Sequence, residues 1–113
     1  AKIYNLDTVK EFAADEEEQI RDIIMIFLET VPNMRDKLFE SYKEKDFEKL
    51  RFFAHKLKSS IDLFNIRDIQ KEIYAVENNA EKRINMGDIP DQLAKINTTL
   101  NITISEIKKD FQL

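Results

Sequence analysis

The chain has one histidine, and the residues spaced around it limit what that imidazole can do. Arg51 and Phe52 precede His55 by four and three positions, and Lys58 and Ser59 follow by three and four. On a helix all four lie within one turn of the ring and on its face. A zinc site is excluded for want of ligands: there is no second histidine, no cysteine and no carboxylate at i+4. His55 could serve as a general base toward Ser59 or Ser60, but no Asp or Glu of the local string is placed to orient its ring, and no oxyanion-stabilising device is visible. Hydrolase chemistry is therefore not expected. What remains is nucleophilic attack on phosphorus to give a phosphoramidate, for which a histidine ring, largely neutral at physiological pH, is suited. Lys58 would neutralise the phosphoryl oxygens and a serine would donate a hydrogen bond. An isolated surface histidine more often has no role, so the elements around it must decide.

Those elements are helical. Pro32, Gly87 and Pro90 are the strong breakers in 113 residues, and apolar residues recur at three- and four-residue steps along almost the whole chain. A leading segment, with Asp7 as its cap and Val9 and Phe12 as its apolar contacts, reads as one or two turns of helix. Asp15, followed three residues later by Glu18, forms a capping box that predicts the start of a long helix. From there Ile20, Ile24, Phe27, Val31, Leu38 and Tyr42 make one stripe, which Pro32 should kink without ending. Asp46 caps a second helix whose seam is Phe47, Leu50, Ala54, Leu57, Ile61 and Phe64, with Asn65 as its left-handed stop. A third helix carries Ile66, Ile73, Val76, Ala80 and Ile84 and ends at Gly87, and a fourth starts near Ile89 with Pro90 in its first turn. The pattern predicts helices over about 15–45, 46–64, 66–86 and 89–111. Short connections make neighbours antiparallel, giving an all-α, up-down four-helix bundle with a short amino-terminal helical appendage, and one domain over residues 1–113. On this scheme His55 stands about 100° round its helix from the seam residue Ala54, at the edge of the core and facing outward.

Composition narrows the function classes. A single glycine excludes glycine-rich phosphate loops, and with them most nucleotide-binding enzymes. The absence of cysteine removes disulfides and thiolate chemistry, so a reducing, cytoplasmic setting is expected. The net charge of −4 has the wrong sign for a general nucleic-acid binder. The apolar run Ile23–Leu28 is far shorter than the roughly 20 residues of a membrane span, and no basic-then-apolar leader opens the sequence. Two sequons, at Asn97 and Asn101, read as chance matches.

The string Ala54-His55-Lys56-Leu57-Lys58-Ser59-Ser60 resembles the phosphorylation motif of histidine-containing phosphotransfer domains, A-H-x-L-K-G-S. The resemblance extends over most of the chain. Tyr4-Asn5-Leu6-Asp7, the acidic opening Asp15–Glu18, Phe27-Leu28-Glu29 and Asp46-Phe47 stand at the family's usual offsets before the histidine. Glu77 falls toward the end of the third helix, where the family commonly carries an acidic residue. The resemblance implies that His55 is the phospho-acceptor through Nε2 and that Lys58 neutralises the phosphate. Ser59 replaces the family's usual glycine, keeping a small residue where a partner must come close and placing a hydroxyl near the phosphoryl group. Asn65 replaces a second glycine.

The implied function is a phosphorelay carrier that takes a phosphoryl group from one receiver-domain aspartate and passes it to another, with no kinase activity and no cofactor of its own. Magnesium would belong to the receiver. Response-regulator receivers are the expected partners, with a hybrid sensor kinase as a further one, and the chain reads equally as a free-standing monomer or a segment of such a kinase. Between Lys43 and Lys58 six basic residues face three acidic ones, so this stretch is +3 in a chain of −4 and suits an acidic partner. Arg51, Phe52, Lys56, Ser59 and Leu28 are the expected docking residues, while Met25 is expected to lie under the amino-terminal turn. The competing reading is a helical module that docks or sequesters a receiver without being phosphorylated.

Overall fold

A computed structural model describes residues 2–113, and every regular element among them is helical. Five α-helices follow one another: α1 (Asp7–Phe12), α2 (Glu17–Lys43), α3 (Phe47–Leu63), α4 (Gln70–Lys82) and α5 (Ile89–Asp110). Single 3₁₀ turns at Arg67–Ile69 and Met86–Asp88 lead into the last two. α3 packs against α2 and α4, α5 against α4 and α2, and α1 lies on α2. The molecule measures 42 × 23 × 23 Å, its long axis matching the roughly 40 Å that α2 spans at about 1.5 Å per residue. No helix among the described residues is long and apolar enough to cross a membrane.

The stripes legible in the sequence are the buried faces. Leu50, Ala54, Leu57 and Ile61 of α3 are completely buried, and so are Ile24 and Val31 of α2, Ile73 and Val76 of α4, and Ile96 and Leu100 of α5. Phe64, just past α3, sits in the same core with its ring 4.1 Å from that of Phe27. Each buried Val, Leu, Ile or Phe side chain contributes about 1.5–3 kcal/mol by leaving water, so Leu50, Leu57 and Ile61, with the small Ala54 between them, fix the rotation of α3 about its axis. His55 is thereby turned outward.

The helix ends explain how a chain with one glycine closes its turns. Ala14, Lys45, Asn65 and Gln112 all adopt left-handed φ, between 49° and 56°, directly after α1, α2, α3 and α5. In each case the next residue's N–H reaches back five residues, as in Asp46 N–H to Ser41 C=O at 3.0 Å and Ile66 N–H to Ile61 C=O at 3.0 Å. This is the Schellman closure, usually built on glycine. Asn65 adds a second function, because its side-chain amide donates to Asn5 Oδ1 at 2.8 Å and Thr8 Oγ1 at 3.1 Å. That ties down the amino-terminal segment, which Tyr4 also anchors by donating its hydroxyl to Asp110 Oδ2 at 2.6 Å.

Several sequence expectations are corrected. Asp15 is not the cap of α2: its N–H closes α1 on Lys10 C=O at 2.9 Å, its φ is 59°, and the helix begins at Glu17 with Glu16 accepting from the Gln19 side chain. Asp7 lies inside α1, where Asn5 Oδ1 accepts its N–H. Phe12 is 76% exposed, its core position taken by Ala13. α4 stops at Lys82 because Arg83 turns left-handed, leaving Ile84 exposed and Gly87 in the following 3₁₀ turn. Met25 is exposed, since the amino-terminal segment is tethered to Asn65 and Asp110 and does not cover it. The capping of α3 by Asp46, which accepts from Lys49 N–H at 3.1 Å, and the continuity of α2 through Pro32 are as the sequence predicts. The sequon threonines Thr99 and Thr103 are buried within α5.

Candidate functional site

His55 projects from the middle of α3 with its side chain 60% exposed. α4 runs alongside, and Glu77 reaches across from it. Glu77 Oε2 lies 2.6 Å from His55 Nδ1, and Glu77 Oε1 accepts from Lys58 Nζ at 2.7 Å. One carboxylate therefore holds both the imidazole and the ammonium that stands one turn beyond it.

The charge states follow from this geometry. Partial burial pushes the Glu77 carboxyl up, but the hydrogen bonds from Lys58 and His55, with their charges, outweigh it and hold the group below the usual carboxylate range. The hydrogen bond to Glu77 raises Lys58 further above the ordinary lysine value, against a smaller opposing effect of burial. An ionised carboxylate only accepts, so the proton between Glu77 and His55 belongs to Nδ1. In the neutral ring the lone pair is then on Nε2, the nitrogen not engaged by Glu77. The expectation that no acid is placed to orient the ring is corrected here: the orienting carboxylate comes from a different helix, 22 residues away in sequence.

Lys58 has a third neighbour. Its Nζ stands 4.9 Å from the centre of the Tyr74 ring, on α4, and Tyr74 donates its hydroxyl to Asp62 Oδ2 at 2.5 Å. Gln70 donates to the other oxygen of Asp62 at 3.3 Å. Tyr74 and Asp62 were not legible as site residues. Their signal was present in the spacing, since Tyr74 and Glu77 are one turn apart on α4 while Lys58 and Asp62 are one turn apart on α3.

The remaining expected residues divide. Phe52, Lys56 and Ser59 are exposed on the His55 face, with Lys56 Nζ 4.8 Å from the Phe52 ring centre, and Arg51 is half-buried one turn before. Leu28 stands apart from them: it is half-buried against the core and lies about 200° round α2 from Ile26. Ile26 is 58% exposed and lines a groove between α2 and α3 with Ile23, Thr30, Ser60 and Leu63. The exposed apolar residue on this stretch of α2 is thus Ile26, two residues before Leu28, and its groove includes none of His55, Lys58 and Glu77. The positive charge is also thinner than the sequence suggests, because Glu77, from outside the basic stretch, neutralises Lys58.

Among the described residues no cluster of three His, Cys, Asp or Glu side chains is placed to hold a metal ion. The chain matches no family model, no curated protein and no solved structure.

Proposed function

We propose that the chain is a histidine phosphotransfer carrier, an antiparallel up-down four-helix bundle with an amino-terminal appendage that works in the cytoplasm in a two-component phosphorelay. The observation that carries this reading is the single carboxylate, Glu77, bonded at once to His55 Nδ1 and Lys58 Nζ. It directs the lone pair of Nε2 outward and keeps a cation within one helical turn.

The transfer needs little from the chain beyond positioning. The Nε2 lone pair attacks the phosphorus of an aspartyl phosphate in a receiver domain. The bond between phosphorus and the aspartate oxygen breaks, and the carboxylate leaves with the electron pair. The ring then carries phosphate on Nε2 and its original proton on Nδ1, and the resulting positive charge is stabilised by Glu77. No proton has to be taken up or released, so the same steps run in reverse toward a second receiver. Lys58 is near enough to exchange Glu77 for a phosphoryl oxygen. Phe52, Lys56 and Ser59 form the exposed ground on which a receiver, bringing its own magnesium, would sit.

The test loads the protein with phosphoramidate, maps the phosphate by its acid-labile and base-stable chemistry, and then adds receiver domains with magnesium. Label on His55 that moves to one or a few receivers, and is absent from His55→Gln, is the expected result. A folded protein that takes no label, or passes it to nothing, overturns the carrier reading in favour of a module that only docks receivers.

A further inference from the structure

Phosphoryl transfer would occupy His55, Lys58 and Glu77, and an aromatic ring beside them has no part in it. Tyr74 is 47% exposed, so its ring is not there to fill the core. It stands one turn before Glu77 on α4, and its face is occupied by the Lys58 ammonium at 4.9 Å. Its hydroxyl is spent on Asp62 at 2.5 Å, and Asp62 is itself held by Gln70 at 3.3 Å.

A lysine side chain has four rotatable bonds, and on an exposed helix face it would sweep a wide arc. Glu77 alone fixes one direction from Nζ. The Tyr74 ring, offering its negative face, fixes a second. The hydroxyl bond to Asp62 in turn stops the ring from rotating away, because both Tyr74 torsions are then constrained from α3. Lys58 and Asp62 lie on α3 while Glu77 and Tyr74 lie on α4, so the two pairs interlock and hold the two helices in register beside His55.

We propose that Tyr74, tethered by Asp62, is the positioning residue for Lys58, holding the ammonium beside His55 both before and after phosphorylation. When a phosphoryl group arrives on Nε2, Lys58 exchanges Glu77 Oε1 for a phosphoryl oxygen while its Nζ stays over the ring. The ring is a pivot that lets the cation change acceptors without being released to water. This inference rests on the carrier reading and adds to it a residue that never touches phosphate.

The experiment compares the intact chain with Tyr74→Leu and Tyr74→Phe. It measures the rate of His55 labelling by phosphoramidate, and the proton shifts of the Lys58 methylene next to nitrogen, which a ring face moves upfield. We expect Tyr74→Leu to slow labelling about 2- to 5-fold, the scale of an exposed cation–π contact, and to return the methylene shifts to ordinary lysine values. Tyr74→Phe keeps the face but loses the tether to Asp62, and should fall between the parent and Tyr74→Leu in both. Labelling of Tyr74→Leu at the parent rate overturns the proposal, as does an equal loss in both variants with the Lys58 shifts unmoved, which would mark a merely structural role. Failure of the parent protein to label at all is a different result: it removes the carrier reading and this inference with it.

Discussion

Glu77 stands 2.6 Å from His55 Nδ1, although the two residues belong to different helices. The contact selects the tautomer of the ring, and it exists only because α4 packs beside α3 in one register. Glu77→Ala should therefore slow phosphorylation of His55 by about 10- to 100-fold, with the parent and variant compared by phosphoramidate labelling and the ring tautomer read by nitrogen NMR. Glu77→Gln, whose amide oxygen still accepts from Nδ1, should lose less.

The same carboxylate sets a pH dependence. Its folded value lies below the ordinary 4.5, so its contribution to stability is complete above 4.5 and drains away as pH falls through the lowered value. Lys58 runs the other way. Its folded value is raised above 10.5, so its contribution is complete below 10.5 and is lost as pH rises past that point. Thermal melts of the parent and of Glu77→Gln should differ at neutral pH and converge in acid.

Fold and site are separable by mutation. Leu57 is fully buried on the face of α3 opposite the site, and Leu57→Ala should cost about 2–5 kcal/mol in denaturant unfolding. His55→Gln, on the exposed face, should stay within about 0.5 kcal/mol.

Two glycine substitutions should have opposite signs although both positions are left-handed. Lys45 has φ 56°, and Lys45→Gly should stabilise the fold by about 0.5–1 kcal/mol by relieving the clash of a side chain there. Asn65 has φ 49°, but Asn65→Gly removes the amide bonds to Asn5 and Thr8 and should destabilise by about 1 kcal/mol. Equilibrium unfolding of the two variants checks both signs.

Much of this was legible in the sequence because helical periodicity is a strong signal. The buried seam of α3 from Leu50 to Ile61 and the Asp46 cap followed directly from spacing, and His55 facing outward followed from the seam. Helix ends were harder. Asp15 carries every sign of a cap, yet Ala14 already closes α1 in a conformation usually reserved for glycine, and the next residue is consumed in that closure. Glu77 stands out in the sequence only through the resemblance to phosphotransfer domains, and Tyr74 is not marked by it. Contacts between helices depend on the rotation and offset of both, which no stripe on one helix specifies.

The complete burial of Leu50, Ala54, Leu57 and Ile61 also has a consequence in time. The helix that carries His55 has no frayed or loosely packed middle, so its central amides should exchange with deuterium only through global unfolding. The imidazole is then equally presented at every instant of the folded lifetime. Any waiting in the exchange of phosphate falls to the arrival and departure of whatever docks on it.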